Sequence, residues 1–388
     1  MSPSITSRVA IVTSTRADYS ILLPVAAELS RRSEVQVGWI ASGTHVSHEF
    51  GHTIDEVRKS GIDIWDTVRF VLADDSDESL VMSNGMAMTG YGQALHRIQP
   101  ALVLLLGDRW EIHACATAAA LLRLPVAHIH GGEETEGAID NMFRHAITKL
   151  SHLHFVATEL SGQRVRQMGE PDDRVFVTGS PAIDKFNGIQ KLDLETLADK
   201  AGVPPQPFLI ATYHPVTTDL AATRSGFDSL LSVLEELALP TLFTFSNADS
   251  FGRTINAEIS AFCDRHEFAS VVPSLGGDAF ANAMGHALAM VGNSSSGIIE
   301  AACFGLPVVN IGDRQFGRER SGNSIETNES RENILVALRK ALSPEFREHC
   351  AATKNVYGDG LAAPRIAEAI SGFLAGEKTV AKRFALRT

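Results

Sequence analysis

Imidazoles, a glycine pair and four carboxylates crowd into one stretch, His128-Ile129-His130-Gly131-Gly132-Glu133-Glu134-Thr135-Glu136-Gly137-Ala138-Ile139-Asp140, which continues as Asn141-Met142-Phe143-Arg144-His145. Several carboxylates and imidazoles converging on one ligand can move protons, so acid–base chemistry is the first expectation. The apolar run before it, 124–127, has the composition of a short buried strand. The reactive groups therefore arrive at that strand's carboxyl end, where open α/β sheets keep their ligands. Gly131 and Gly132 permit backbone angles that a side chain would forbid. Residues 140–145 have the pattern of a helix start, which puts Asp140 and Arg144 four apart on one face. A surface ion pair is the bland reading of that spacing; a pair turned toward the Gly-Gly turn is the functional one.

The other candidates also follow apolar runs. Arg16 closes the loop after strand 8–13, and His45, after strand 35–40, reads as a solvated loop residue of second rank. Gly107-Asp108-Arg109 ends ALVLLL at 101–106; Asp108 is either a site carboxylate or the N-cap of a helix over 109–122, and the two are compatible. In the second half His214 follows FLIAT at 208–212, and Asn247 and Asp249 lie in the loop after 241–245. Gly292-Asn293-Ser294-Ser295-Ser296-Gly297 opens a helix that includes Glu300, with Arg314, Arg318 and Arg320 beyond strand 307–311. Backbone N–H groups, hydroxyls and a helix start suit a phosphate, although serine-rich turns often merely cap helices.

Something must hold these loops, and the rhythm of the chain says what. Apolar strands alternate with amphipathic helices, including long helical patterns at 19–31 and 76–98, which predicts parallel, doubly wound sheets. The length of 388 residues exceeds one usual core. Prolines at 181, 204, 205 and 207 interrupt the pattern. The expected fold class is α/β, with two Rossmann-like domains facing across a cleft, residues 1–180 and 181–361. The helix at 362–375 and the basic end, within 362–388, are expected to pack back on the first domain.

A net charge of −12 and a pI near 5.6 disfavour nucleic acid and anionic membrane as partners. No leader-like or membrane-spanning run stands out, and cytoplasmic residence is expected. Cys115, Cys263, Cys303 and Cys350 lack Cys-x-x-Cys spacing and are expected to be buried, reduced thiols. Neither a Walker loop nor Gly-x-Gly-x-x-Gly after strand 8–13 is present, which speaks against ATP and NAD chemistry. The anion is better read as the pyrophosphate of a nucleotide leaving group, with no cofactor expected. His128-x-His130 on one strand face could hold a metal, but strand-face histidines are more often structural.

GDR-x-E at 107–111, HIHGGE-x-TEGAID at 128–140, RHAITKLSH at 144–152, HPVT at 214–217, SNADS at 246–250, GNSSSGIIE at 292–300 and NIGDRQ-x-GR at 310–318 occur in one order. Together they resemble the hydrolysing UDP-N-acetylglucosamine 2-epimerases, over nearly the whole chain from STRADY at 14–19 to YGDG at 357–360. The resemblance implies a glycosyltransferase-B-like fold, metal-independent chemistry and a homo-oligomer, dimer or tetramer. It implies acid–base roles for Asp108, Glu133, Asp140 and His214, and UDP contacts by Arg16, Asn247, Ser294, Ser295, Glu300 and Arg314. Some relatives carry glutamate where this chain has His130, so His130 and Glu133 both stand as proton-transfer candidates. Arg109, Arg144 and Asp249, in the same loops, complete the substrate-binding set. The implied reaction converts UDP-N-acetylglucosamine and water to N-acetylmannosamine and UDP, by anti-elimination to a glycal and hydration, for nonulosonic acid synthesis. The same reaction on UDP-2,4-diacetamido-2,4,6-trideoxyglucose, for legionaminic acid, is the alternative. A glycosyltransferase of the same fold is the rival of another class; it would need an acceptor.

Overall fold

The computed structural model describes residues 6–47, 53–72, 76–134, 139–216, 220–246, 252–273, 275–376 and 380–386. The chain divides into two compact units, residues 1–185 with 357–388, and 186–356. In the first, seven strands form one sheet: β1 Ser7–Thr13, β2 Val35–Ser42, β3 Ile64–Val68, β4 Leu102–Leu106, β5 Val126–Ile129, β6 Leu153–Val156 and β7 Val175–Val177. Their order is β3-β2-β1-β4-β5-β6-β7, and every pairing is parallel. The all-apolar run of β4 is buried at all five positions, as expected of a central strand covered on both faces. The covering helices are α1 Arg16–Ser30, α2 Ile54–Arg58, α3 Asp77–Ile98, α4 Trp110–Leu121, α5 Asp140–Leu150, α6 Glu159–Gln167 and α7 Pro181–Asp184. Gln99, left-handed, and Pro100 end α3.

The second unit repeats the plan with β8 Leu209–Thr212, β9 Thr241–Thr244, β10 Ala269–Val272, β11 Ala289–Gly292, β12 Val308–Ile311 and β13 Ser324–Thr327. The order is β10-β9-β8-β11-β12-β13, again parallel throughout. Its helices are α8 Leu194–Ala201, α9 Leu220–Leu237, α10 Gly252–Arg265, α11 Gly277–His286, α12 Ser295–Ile299, α13 Arg331–Ala341 and α14 Pro344–Ala352.

The chain then returns to the first unit with α15 Ala362–Ala375, whose Ile366, Ile370, Phe373 and Leu374 join the core that holds Leu22, Val25 and Leu29 of α1. Asp184 accepts hydrogen bonds from the Ala362 N–H at 3.1 Å and the Ala363 N–H at 2.5 Å, capping α15 where its own Leu361 offers no side-chain cap. Beyond it, Lys382 reaches the buried Glu170 carboxylate at 2.9 Å, which Lys149 meets at 2.5 Å and His154 at 2.9 Å. These partners overcome the burial of Glu170 and hold its carboxyl down at about 2. The cysteines differ from expectation: all four are free, but only Cys115 and Cys350 are buried, Cys263 is half-buried and Cys303 is exposed.

Candidate active site

Each sheet grows outward in both directions from one pair of neighbours, β1 and β4 in the first and β8 and β11 in the second. Loops leaving such a pair part toward opposite faces and open a crevice at the strands' carboxyl ends. In the first unit this crevice is walled by Ser14-Thr15-Arg16 after β1 and Gly107-Asp108-Arg109 after β4. Asp18 folds back over the start of α1 and accepts from the N–H groups of Ser14 at 2.9 Å and Thr15 at 3.1 Å. The Thr13 hydroxyl also contacts Asp18 and lies 3.0 Å from His45 Nε2. His45 is not solvated. It is wholly buried, with Nδ1 on the Thr53 hydroxyl at 2.7 Å, and burial lowers its pKa. Arg16 is exposed and pairs with Glu56 at 3.2 Å.

Asp108 does not cap α4. The N-cap is Arg109, without a side-chain cap bond, and the Asp108 carboxylate instead takes Nη2 of Arg144. Nor is Arg144 a surface partner of Asp140: it is 3 % exposed and turned inward to Asp108. Its Nε and Nη1 are buried without hydrogen-bond partners. Asp140, the first residue of α5, holds its proton more tightly than an ordinary aspartate, because burial and then the charge of Asp108 outweigh Arg109 and Arg144.

The strand β5 stops at Ile129, and His130 turns out of it with φ +65°, a conformation uncommon for a residue with a Cβ. Its N–H donates to Phe155 O at 2.9 Å, its Nε2 meets the Ser180 hydroxyl at 2.9 Å, and Nδ1 lies 3.7 Å from the largely buried Glu133 carboxylate. Of the glycine pair only Gly132 has a positive φ, +75°, and a Cβ there would stand 2.2 Å from Ser161 O. Glu134 bonds Asn141 and His145, the latter at 2.9 Å, at the start of α5. His128 is fully buried with Nε2 on Gly107 O at 2.7 Å; burial pushes it down to about 3, so the ring is neutral and Nε2 is the donor. The two imidazoles of His128-x-His130 thus serve separate hydrogen bonds, and the pairing on one strand face is not formed.

The second crevice is built alike. His214 follows β8 and is 7 % exposed; its N–H donates to Asn293 Oδ1 at 2.7 Å, and Asn293 Nδ2 donates back to His214 O at 2.8 Å. Asn293 follows β11, so this pair of bonds stitches the crevice's two sides. Gly292 before it has φ +134°, and a Cβ would come 1.9 Å from Thr212 O. His214 Nδ1 lies 3.2 Å from the Ser246 hydroxyl, and burial, then the charge of Arg314, pushes the ring down to about 4. Asn293 O accepts from Arg314 Nη1 at 3.2 Å and Gln315 Nε2 at 3.0 Å. Ser294 is the N-cap of α12, Ser295 its first residue and Glu300 its C-cap. At five residues α12 carries little dipole, so N–H groups, hydroxyls and Arg314 must supply most of any attraction for an anion. Asn247 and Asp249 lie outside the described residues.

The family model described as UDP-N-acetylglucosamine 2-epimerase matches residues 27–371. The chain belongs to the UDP-N-acetylglucosamine 2-epimerase family. It is 34% identical over 359 residues to the UDP-N,N'-diacetylbacillosamine 2-epimerase (hydrolyzing) of Legionella pneumophila, covering 92% of this chain and 94% of the relative. It is 37% identical over 347 residues to the GDP/UDP-N,N'-diacetylbacillosamine 2-epimerase (hydrolyzing) of Campylobacter jejuni, covering 88% and 89%. Among solved structures, a putative UDP-N-acetylglucosamine 2-epimerase from Listeria monocytogenes superposes with a TM-score of 0.81 at 20% identity, covering 96% of this chain and 98% of that one, which shows the shared fold.

In this epimerase the structure brings Asp108, Arg144 and Asp140 together, pairs His130 with Glu133, and joins His214 to Arg314 through Asn293. Arg16 and Arg109 instead have Glu56 and Glu111 as partners. Sequence reasoning passed over Glu111, Ser180, Asn293 and Ser246. Glu111, Asn293 and Ser246 stood inside the motifs GDR-x-E, GNSSSGIIE and SNADS; Ser180 becomes visible only once β5 and α7 are adjacent.

Proposed function

We propose that this chain is a hydrolysing 2-epimerase of a UDP-2-acetamido sugar, working by elimination and hydration. One observation carries the reading most: at one crevice Asp108 is ion-paired by a buried arginine, while Asp140 is kept protonated to higher pH than usual. Two neighbouring carboxyls, one held by a buried arginine and the other holding its proton more tightly than usual, supply the groups that proton transfer needs. The C2 proton passes to a base, the C1–O bond breaks with UDP departing, and the resulting glycal takes up water at C1 and a proton at C2 on the opposite face. The products are the manno sugar and UDP. We assign Asp108, Glu133 and Asp140, with His130, to the proton transfers, and Arg109 and Arg144 to the sugar and the departing charge. His214, neutral at pH 7, serves as a proton acceptor or donor beside the leaving phosphate. Ser294, Ser295, Glu300 and Arg314, with Arg16, Asn247 and Asp249, hold UDP.

The names of the relatives at 34% and 37% identity favour the 2,4-diacetamido-2,4,6-trideoxy sugar as substrate. UDP-N-acetylglucosamine is the second reading, favoured by the description of the family model. Proton NMR in deuterium oxide, with each UDP-sugar in turn, tests both. Deuterium at C2 of a free manno-configured sugar, without any acceptor, is expected, with the larger kcat/KM for the diacetamido substrate. A product that keeps its C2 hydrogen or stays nucleotide-linked would overturn elimination–hydration, and release that requires an acceptor would mark a glycosyltransferase.

A further inference from the structure

Glu111 has no role in the reaction as assigned above, yet its surroundings are unusual for a helix residue. It lies in the first turn of α4 and is 2 % exposed, in a helix otherwise rich in alanine. Its Oε1 is 2.5 Å from Arg109 Nε and 2.9 Å from the Ser14 hydroxyl, while its Oε2 is buried with no hydrogen-bond partner. Leaving a buried carboxylate oxygen unsatisfied is destabilising, and an apolar residue among these alanines would avoid it.

The Ser14 hydroxyl has one hydrogen and two carboxylates within reach, Glu111 and Asp18, each at 2.9 Å. Asp18 already receives the Ser14 and Thr15 N–H groups and the Thr13 hydroxyl. The Ser14 hydroxyl thus bridges Asp18 and Glu111, and the other donor to Glu111 is Arg109. Ser14 follows β1 and Glu111 follows β4, so this contact crosses the first crevice as the His214–Asn293 pair crosses the second.

Arg109, by contrast, is half exposed, and its charge acts on Asp140. A long side chain at a crevice mouth loses rotamer freedom when it grips a ligand, and a buried carboxylate at its Nε imposes that loss beforehand. We propose that Glu111 is a positioning residue for the reaction proposed above: anchored by Ser14, it holds the Arg109 guanidinium beside Asp140, ready for charge that develops on the substrate. The proposal rests on the epimerase reading, and its test has an arm that does not.

That arm is nitrogen-15 NMR of arginine Nε–H groups in the ligand-free protein, with the Arg109 signal assigned by its loss in Arg109→Lys. A slowly exchanging Arg109 Nε–H, shifted away from the surface arginines and averaged with them in Glu111→Gln, is expected. An Arg109 signal indistinguishable from surface arginines in the unmodified protein would overturn the proposal whatever the enzyme's activity. The kinetic arm compares Glu111→Gln, Arg109→Ala and the double variant, each checked for an unchanged unfolding temperature. Glu111→Gln should lower kcat by about 10- to 100-fold with KM nearly unchanged, and should add no further loss in the Arg109→Ala background. Full additivity, or kcat within twofold of the unmodified enzyme, would show that Glu111 does not act through Arg109. If the unmodified enzyme releases no free sugar from either UDP-sugar, the reaction is wrong and the NMR arm alone decides the anchoring.

Discussion

Asp108 and Asp140 belong to one electrostatic unit with Arg144, and charge-neutral substitutions should separate their role in catalysis from their role in folding. Asp108→Asn or Asp140→Asn should lower kcat by roughly 10²–10⁴ while UDP affinity, measured by calorimetry, stays within a few-fold. Variants that keep their turnover would remove these carboxyls from the proton path. His214 makes a prediction about pH. Its pKa falls from an ordinary 6.5 to about 4, so the native state binds fewer protons than the unfolded chain between those values. Stability is thus full above pH 6.5 and is lost as pH falls toward 4, by about 3 kcal/mol at most. His214→Gln removes that loss. Its melting temperature relative to the unmodified protein should rise as pH drops from 7 to 4, and a constant difference across that range would refute the assignment.

At the scale of elements, α3 stands apart. Leu80, Val81, Met82, Met86 and Met88 are all exposed, with Val81 72 % accessible, on a helix that also packs Ala87, Tyr91 and Leu95 into the core. Exposed apolar side chains on one helix are the mark of a surface covered by another protein, and the homo-oligomer that the family resemblance implies makes a second copy of this chain the expected occupant. Sedimentation equilibrium at micromolar concentration should give a multiple of 41.7 kDa. Val81→Lys combined with Met82→Lys should shift it toward the monomer. A monomeric unmodified protein, or a variant with undiminished mass, would dismiss self-association through α3.

For the whole molecule the question is how an acidic chain of net charge −12 takes up an anionic nucleotide sugar. The answer proposed is local: Arg314, the hydroxyls of Ser294 and Ser295 and the N–H groups of α12 replace the cation that a diphosphate often brings. UDP titrated calorimetrically should therefore bind with equal affinity in the presence and absence of EDTA. Binding abolished by the chelator would sink the idea.

Much of this was legible in residues alone. Central strands such as LVLLL at 102–106 declare themselves because both faces are buried, so each position must be apolar. Loops after them carry the polar groups, and α15 spans the residues that its helical spacing predicts. Two of the edge strands were not legible: Ile64–Val68 and Ser324–Thr327 are half-buried, with neither an apolar run nor clean alternation. The register of charges was beyond the sequence too. Spacing of four links Asp140 with Arg144, but only the packing of α5 against α4 turns that guanidinium to Asp108. Composition can place a histidine in a loop, whereas His45 is buried because β1 and α1 close over it. Local sequence determines which residues end each strand, since that depends on neighbours along the chain. Which of them meet depends on strand order, and it is the adjacency of β1 with β4 and of β8 with β11 that sets Ser14 against Glu111 and His214 against Asn293.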